Sequence, residues 1–368
     1  MMRIVVTGGG TGGHLFPGIA LATGLQRRIP GCRVMFIGTR RLLDQQALAG
    51  YDFELASIKC MGLKGMGLGN RLRSVLQLPA AVIEARRIIK RFKPDLVFGV
   101  GGYVTGPVLL AARLSSVPLC IHEQNSVPGL ANKTLAKIVD RVFLSIPCRY
   151  PFPAGKTMVT GNPVRRDIIE AASNRVVSEK KRITILVLGG SQGAHRVNSL
   201  VTEAAAELVR EYGGRLAVIH QTGETDEEEV RFRYAEIGIK AEVKAFFQDM
   251  AGVYSLADLV VSRAGATTLA ELSVMGLPAL LIPYPYAADD HQKTNALYFQ
   301  DGGAAVMHLE QELSGAKLAR EIEGLLNNPD RLRTMSENMK SMGKPEATDT
   351  IIRECLALIG HSKEEAVA

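Results

Sequence analysis

The sequence lacks the features that mark membrane-spanning, exported and disulfide-bonded proteins. No segment approaches the roughly 18 to 20 consecutive apolar residues that a membrane-spanning helix needs. We expect no signal peptide in the first residues, because a strand-like run and glycines follow Met1, Met2 and Arg3 directly. The five cysteines are scattered and form no CxxC pair. We therefore expect reduced thiols in a cytoplasm, with neither a disulfide framework nor a zinc site.

Several ligand-binding motifs are also missing. There is no GxxxxGK[ST] motif, which excludes a P-loop nucleotide hydrolase. There is no DxD motif. Asp289, Asp290 and His291 could form a set of metal ligands, but two adjacent carboxylates usually face water. We therefore expect no metal. The aromatic and Arg-Gly patterns of common nucleic-acid modules are absent too, so no nucleic-acid partner is expected.

Charge is divided unequally along the chain. Residues 1–160 hold 21 Lys and Arg against 7 Asp and Glu, whereas residues 161–368 hold 23 against 30. The basic half indicates an anionic partner, with a merely basic surface as the alternative. Residues 59–93 carry nine Lys and Arg, one acid (Glu84) and many apolar residues. This pattern predicts a helix over 78–89 that packs on a sheet and a loop over 62–73 that lies on an anionic membrane surface.

Short apolar, β-branched runs recur along the chain, each followed by a turn and a helical pattern. They lie at 4–7, 34–37, 96–100, 119–122 and 141–144, and again at 183–188, 216–220, 243–246, 259–262 and 279–283. Strands alternating with helices form βαβ units and a parallel sheet. Because each series opens with its own glycine loop, we predict an α/β protein with two Rossmann-like, doubly wound domains. The predicted domains are 1–162 and 163–345, with a linker within 161–182 and a final helix in 346–368 that could pack back on the first domain.

The first glycine loop, GGGTGGHLFPGIALA (8–22), contains the dinucleotide fingerprint GxGxxG. The fingerprint needs a carboxylate at the end of the second strand to bind the ribose, but Arg40 and Arg41 stand there. The missing carboxylate argues against NAD. The arginines could bind a 2′-phosphate, so an NADP-dependent oxidoreductase stays an alternative.

His14 follows this loop at the predicted start of a helix, on the ligand-binding edge of the sheet. A helix N-terminus disfavours the charged imidazolium, and a neutral ring can accept a proton. A histidine that only hydrogen-bonds a nearby carbonyl is the alternative interpretation.

Other candidate ligand loops also follow predicted strands. They are GVGGYVTGP (99–107), HEQN (122–125) and SRAGATTLAEL (262–272). Threonines and small residues at a helix N-terminus suit a phosphate group. Glu271 can either cap that helix or bind two sugar hydroxyls.

Seven motifs in this order resemble those of one family. They are GGGTGGHLFPGIALA, GVGGYVTGP, HEQN, GNPVR (161–165), GGSQGA (189–194), SRAGATTLAEL and LPALLIPYPYAADDHQKTNA (277–296). The chain resembles the peptidoglycan N-acetylglucosaminyltransferases of glycosyltransferase family 28, over nearly its whole length. The resemblance implies the GT-B architecture, in which two Rossmann-like domains face a cleft. It also implies inverting transfer of N-acetylglucosamine from UDP-N-acetylglucosamine to the C4 hydroxyl of lipid I, which gives lipid II.

The resemblance assigns roles to individual residues. Contacts with UDP-N-acetylglucosamine are expected from Thr11, Gly12, Gly13, Asn125, Arg165, Ser191, Phe247, Ala266, Thr267, Thr268, Leu269, Ala270, Glu271 and Gln292. Among these, Arg165 would meet phosphate charge, the backbone of Phe247 the uracil edge, and Glu271 the ribose hydroxyls. The acceptor is assigned to the GVGGYVTGP loop, through Gly101, Gly102 and Tyr103, and a simple tight turn without a binding role is the alternative interpretation of this loop. The expected general base is His14, with Glu123 as the alternative.

The resemblance also implies partners and a location. The expected partners are UDP-N-acetylglucosamine, a lipid-linked muramoyl-pentapeptide acceptor and an anionic membrane surface, with no cofactor. The expected location is peripheral, on the cytoplasmic face of the inner membrane. A related transferase acting on diacylglycerol and a non-catalytic nucleotide-sugar binder are the remaining alternatives.

Overall fold

The computed structural model describes residues 1–9, 12–39, 48, 50–60, 68–175, 182–190 and 193–360, without the side chains of 68–76. The chain divides into two compact units. Unit 1 comprises Met1–Arg165 and Pro345–Ala368, and unit 2 comprises Arg166–Lys344.

Unit 1 is built on a seven-stranded parallel sheet with the order β3-β2-β1-β4-β5-β6-β7. Its strands are β1 (Arg3–Thr7), β2 (Arg33–Gly38), β3 (Glu54–Ser57), β4 (Leu96–Gly99), β5 (Leu119–Glu123), β6 (Arg141–Leu144) and β7 (Thr157–Val159). Its helices are α1 (Gly12–Arg28), α2 (Leu68–Phe92), α3 (Thr105–Arg113), α4 (Leu130–Leu135) and, after unit 2, α13 (Ala347–Leu358).

Helices cover both faces of this sheet. Along β1, Ile4 and Val6 pack in a core with α1 and α13, whereas Val5 packs in a second core with α2, α3 and α4. The alternation follows from the two-residue period of a strand that is buried on both faces. The final helix lies in unit 1: Arg28 on α1 pairs with Asp349 on α13 at 2.9 Å.

Unit 2 repeats the design with a six-stranded parallel sheet of order β10-β9-β8-β11-β12-β13. Its strands are β8 (Ile183–Leu188), β9 (Leu216–Gln221), β10 (Lys240–Lys244), β11 (Leu259–Ser262), β12 (Ala279–Leu281) and β13 (Ala305–Met307). Its α-helices are α5 (Arg166–Asn174), α6 (His195–Tyr212), α7 (Glu227–Ile237), α8 (Met250–Leu256), α9 (Ala266–Met275), α10 (His291–Asp301), α11 (Gly315–Leu326) and α12 (Pro329–Ser341).

Arg175 anchors the end of α5, the first helix of unit 2, to the rest of that unit. It follows α5, and its guanidinium donates to the carbonyl oxygens of Ala257 (2.9 Å) and Met275 (3.1 Å). These carbonyls lie at the C-terminal ends of α8 and α9, where backbone acceptors lack helical partners. Arg175 therefore joins the segment after α5 to the ends of α8 and α9.

Each sheet has one point where the strand order reverses. The reversal lies between β1 and β4 in unit 1 and between β8 and β11 in unit 2. At such a point, loops leave neighbouring strands in opposite directions, and the crevice at the carboxyl ends of the strands binds ligands in doubly wound folds. The predicted pair of Rossmann-like parallel sheets is confirmed, and glycine loops follow β1, β4 and β8.

Two local predictions were wrong. The run at 243–246 is not the strand, because β10 spans Lys240–Lys244 and ends before Phe246. The loop predicted over 62–73 is already helical from Leu68, where α2 begins, and 62–67 lie outside the described residues. Within the described part of the chain, no helix combines the length and apolar character needed to cross a bilayer.

Candidate functional site

The glycine loops after β1 and β4 lie against each other at the reversal point of unit 1. A Cβ added to Gly102 would lie 2.5 Å from the carbonyl oxygen of Gly9, and the φ angle of Gly102 is +84°. A side chain is therefore excluded at this position by both the neighbouring backbone and the left-handed conformation. This contact gives Gly102 a structural role in addition to its predicted role in acceptor binding.

His14 is the third residue of α1 and is held by the loops after β4 and β5. Its Nδ1 lies 3.1 Å from Oε1 of Gln124, and Nε2 of Gln124 donates to the carbonyl oxygen of Val100 at 2.8 Å. The imidazole rests on Gly101, where an added Cβ would lie 2.9 Å from two ring atoms. The ring is half-buried. His14 is therefore a fixed side chain at the ligand edge of the sheet.

Glu123 is buried, and both of its carboxylate oxygens accept hydrogen bonds from its own loop. Oε1 accepts from the backbone N–H of Asn125 at 3.0 Å. Oε2 accepts from the backbone N–H of Gly129 at 3.0 Å and from Nδ2 of Asn132 at 2.8 Å. The carboxylate thus organises residues 123–132, an arrangement that favours a structural role for Glu123 over proton abstraction.

His122 is completely buried beside these residues. Its Nε2 donates to the carbonyl oxygen of Gly161 at 3.0 Å, which joins β5 to the GNPVR segment. Burial lowers the pKa of His122 to about 4, opposed by the Gly161 hydrogen bond and assisted by the nearby charge of His14. His122 is therefore neutral at pH values well above 4.

Arg165 and the start of α1 are neighbours in unit 1. The Arg165 guanidinium lies over the ring of Phe16, 5.3 Å from its centroid. Gly12 and Gly13 open the same helix, Asn125 follows β5 and Tyr103 follows β4, so these predicted site residues share the carboxyl edge of one sheet. Thr11 and Ser191 lie outside the described residues.

The corresponding edge of unit 2 is set by Arg263, in the loop between β11 and α9. This buried guanidinium donates to the carbonyl oxygens of Ile282 and Pro283, both at 3.1 Å, and pairs with Glu310. The clamp fixes the loop that leads into α9. The predicted residues Ala266, Thr267, Thr268 and Ala270 lie on this helix, whose first N–H groups lack helical acceptors.

Two predicted contacts on α9 are constrained by burial. The Leu269 side chain is only 1% exposed, so only its backbone is available to a ligand. Glu271 is also buried, and its Oε2 accepts a hydrogen bond of 2.7 Å from the hydroxyl of Tyr254. Tyr254 thus orients the carboxylate that was assigned to ribose hydroxyls or to a helix cap.

Gln221, at the end of β9, is a site residue that the sequence analysis missed. Its Oε1 accepts from the backbone N–H of Phe247 at 3.0 Å, and its Nε2 donates to the carbonyl oxygen of Gly190 at 3.3 Å. Gln221 therefore links the glycine loop after β8 to the backbone of Phe247, which was assigned to uracil. Its position, as a polar residue ending a strand, was the available signal.

Gln292 is the second residue of α10. Its Oε1 accepts from the backbone N–H of Tyr284 at 2.9 Å, and His291 Nδ1 donates to the carbonyl oxygen of Ala288 at 2.7 Å. These bonds hold the loop after β12 against the start of α10.

A chain of polar side chains runs from the surface of unit 2 into its core. His195 contacts Asp226 (3.1 Å), Asn198 Nδ2 donates to Asp226 (2.8 Å), and Asn198 Oδ1 accepts from His220 Nε2 (3.0 Å). His220 Nδ1 accepts from the hydroxyl of Tyr234 at 2.9 Å. The network begins at the first residue of α6, directly after the glycine loop that follows β8. The sequence analysis did not predict it.

Because His220 is buried in its neutral form, we predict that unit 2 loses stability as the pH falls. Burial lowers its pKa to about 3, against an ordinary value of about 6.5. Because the folded pKa lies below the unfolded one, the unfolded chain binds more protons as pH falls. Between about pH 6.5 and 3 this site should lower the free energy of unfolding by up to about 1.4 kcal/mol per pH unit.

Urea titrations at several pH values, with amide exchange in unit 2 as the readout of unfolding, measure this slope. His220→Gln removes the titrating group, so its slope should be shallower than that of the wild type. The matched variant His291→Gln leaves His220 in place, so the slope that His220 contributes should persist. An equal slope in His220→Gln would contradict the assignment.

Comparison with known proteins identifies the family. The model of the glycosyltransferase family 28 N-terminal domain matches residues 4–144, and that of the C-terminal domain matches 184–351. The chain is 46% identical over 362 residues to the UDP-N-acetylglucosamine--N-acetylmuramyl-(pentapeptide) pyrophosphoryl-undecaprenol N-acetylglucosamine transferase of Desulfotalea psychrophila, with 98% of each chain covered. It is 45% identical to the enzyme of the same name from Geobacter sp. strain M21, with 95% of each covered. The crystal structure of Acinetobacter baumannii MurG superimposes with a TM-score of 0.77 at 30% identity, over 96% of this chain and 99% of that one. The chain therefore belongs to glycosyltransferase family 28.

Proposed function

We propose that this chain transfers N-acetylglucosamine from UDP-N-acetylglucosamine to the C4 hydroxyl of undecaprenyl-diphospho-N-acetylmuramoyl-pentapeptide, with inversion at the anomeric carbon. Relatives that match almost the full chain carry names that state this donor and this acceptor. The structural observation that carries the proposal is the fixed imidazole of His14 at the reversal point of the unit 1 sheet.

In the proposed mechanism His14 accepts the proton of the acceptor hydroxyl. Inversion requires attack by that hydroxyl opposite the departing UDP, and a general base strengthens the nucleophile. His14 suits this role because its ring is half-buried and oriented, whereas the Glu123 carboxylate is occupied by its own loop. We therefore assign Glu123 to positioning Asn125, and the loop after β4, with Tyr103, to the acceptor.

We assign the uracil and the ribose of the nucleotide to unit 2. The N-terminus of α9 offers its positive dipole to the diphosphate as it leaves. Glu271, oriented by Tyr254, would accept hydrogen bonds from the ribose hydroxyls. The N–H of Phe247 is already bonded to Gln221, so a uracil that uses this N–H must displace the Gln221 side chain. Arg165 supplies positive charge for the diphosphate, and Gln292 is assigned to the donor sugar.

The acceptor is tested by a competition experiment. Radiolabelled UDP-N-acetylglucosamine is offered with a lipid I analogue and diacylglycerol together, and the labelled products are separated. The proposal requires label in the muramoyl product, whereas label in the diacylglycerol product would support the alternative transferase. Equilibrium binding of UDP-N-acetylglucosamine and of NADPH, measured in parallel, tests the oxidoreductase alternative.

We further propose that α2 and α3 form a peripheral membrane surface. The two helices pack together. Leu78 and Ile83 on α2, Leu110 on α3 and Leu114 directly after α3 are exposed, and we call these four side chains the apolar ridge. Exposed basic residues accompany the ridge on the same helices: Arg86, Arg87, Lys90, Arg91 and Arg113. Apolar side chains bordered by cations suit an anionic lipid surface.

Neutralising two of these cations should weaken vesicle binding. Arg86→Gln with Arg87→Gln removes about 2 kcal/mol of electrostatic attraction, which corresponds to an affinity loss of about thirtyfold on anionic vesicles. The matched control, Arg210→Gln with Lys240→Gln, makes the same charge change on exposed residues of unit 2. Co-sedimentation with vesicles measures both. Equal losses in the two double variants would remove this surface from the proposal.

A further inference from the structure

Gln124 is buried at the end of β5, and its amide is shared between two partners. Its Nε2 lies 2.8 Å from the carbonyl oxygen of Val100, and its Oε1 lies 3.1 Å from Nδ1 of His14. A carbonyl oxygen only accepts hydrogen bonds, so the amide nitrogen must face Val100. The amide oxygen of Gln124 must then face His14.

The orientation of the Gln124 amide determines where the neutral His14 ring carries its proton. An amide oxygen accepts and never donates, so the ring nitrogen that faces it must carry hydrogen. The proton of neutral His14 therefore lies on Nδ1, and the lone pair lies on Nε2. The opposite tautomer would set the lone pair of Nδ1 against the lone pairs of the amide oxygen, in a place where Gln124 is only 1% exposed.

We propose that Gln124 is a positioning residue that makes Nε2 of His14 the proton acceptor of the reaction. The inference rests on the proposed function, because it deepens the role assigned there to His14. The carbonyl of Val100 fixes the amide, the amide fixes the tautomer, and Gly101 fixes the plane of the ring. Free histidine favours the other neutral tautomer, with hydrogen on Nε2, so the protein must hold the catalytic form against that preference.

His122, the titratable neighbour of His14, is compatible with His14 as the proton acceptor. His122 stays neutral because burial lowers its pKa to about 4. When His14 takes up a proton it therefore meets no second positive charge on His122. The Gln124 amide is neutral in every state, so it orients His14 without adding a counter-charge.

The test measures the tautomer directly. The seven histidines are labelled with ¹⁵N, and the His14 signals are identified by their loss in His14→Gln. At a pH where His14 is neutral, wild-type protein should show hydrogen on Nδ1. Gln124→Met keeps the side-chain length but offers no acceptor oxygen, so its His14 should shift to the Nε2–H form. Gln124→Glu in its protonated form can donate to Val100 and accept from His14, so it should retain the wild-type tautomer.

Kinetics supply an independent readout. For Gln124→Met we expect kcat to fall by about tenfold to a hundredfold, with KM for UDP-N-acetylglucosamine within about twofold of wild type. Gln124→Glu should recover part of kcat. Hydrogen on Nε2 of His14 in the wild type, or an unchanged tautomer in folded Gln124→Met, would overturn the inference. If Gln124→Met does not fold, the spectra of the wild type and of Gln124→Glu decide whether the neutral His14 carries its hydrogen on Nδ1. The tautomer readout needs no activity, so its failure is distinct from an absence of transfer, which would overturn the proposed function.

Discussion

We expect His14→Gln to retain UDP-N-acetylglucosamine binding but to lose about 10²- to 10⁴-fold in transfer rate. The expected loss is the usual contribution of a general base, and binding survives because His14 is assigned to the acceptor hydroxyl and not to the nucleotide. The variant keeps a polar side chain at the start of α1 and should fold normally. Isothermal titration with UDP-N-acetylglucosamine and a steady-state transfer assay measure the two effects separately.

Glu123→Gln is the comparison that separates the two candidate bases. Its amide nitrogen would face backbone N–H groups that now donate to a carboxylate oxygen, so the loop 123–132 should lose stability. We expect a lower melting temperature in Glu123→Gln and an unchanged one in His14→Gln. Full transfer activity in His14→Gln, with a folded but inactive Glu123→Gln, would assign the base to Glu123.

We expect Gly193→Ala to destabilise unit 2 far more than Gly190→Ala, although both glycines lie in the glycine loop after β8. Both have left-handed φ angles, +79° and +92°. A Cβ at 190 would have no atom of the described residues within 4 Å, whereas a Cβ at 193 would overlap the carbonyl oxygen of Thr222. Gly190→Ala should cost only the left-handed penalty of about 1–2 kcal/mol, and Gly193→Ala about 3 kcal/mol or more because the backbone must also move.

Urea titration of both variants measures this difference, and UDP binding reports its effect on the loop. We expect UDP affinity to fall more than tenfold in Gly193→Ala and less than threefold in Gly190→Ala, since a displaced loop no longer presents its backbone to the ligand. The vesicle binding assigned to unit 1 should be unchanged in both. Equal losses of stability would show that the contact with Thr222 does not constrain the loop.

The buried strands could be predicted because they are continuous apolar runs, but the edge strands could not. β3, β7 and β13 lie at sheet edges and are largely half-buried or exposed, so they show neither a long apolar run nor regular alternation. β10 is also an edge strand. Its apolar continuation, Phe246 and Phe247, follows the strand and lies in the loop at its carboxyl end, which explains the displaced prediction.

The positions of site residues could be predicted from the ends of strands, but their partners could not. Loops after parallel strands meet at one edge, so His14, Glu123 and Asn125 were expected there. The bond between His14 and Gln124 joins residues 110 positions apart, and its geometry depends on the carbonyl of Val100. Gln221, Tyr254 and the network through Asn198 likewise depend on contacts between elements that no spacing in the sequence encodes.

The most direct test of the proposed function is a transfer reaction with purified protein. The chain is incubated with UDP-N-acetylglucosamine and a lipid I analogue, and the anomeric configuration of the product is read by NMR. We expect one product, in which N-acetylglucosamine is joined in the inverted configuration to the C4 hydroxyl of the muramoyl sugar. Hydrolysis of the donor without transfer, or a product that retains the donor configuration, would contradict inverting transfer by this chain.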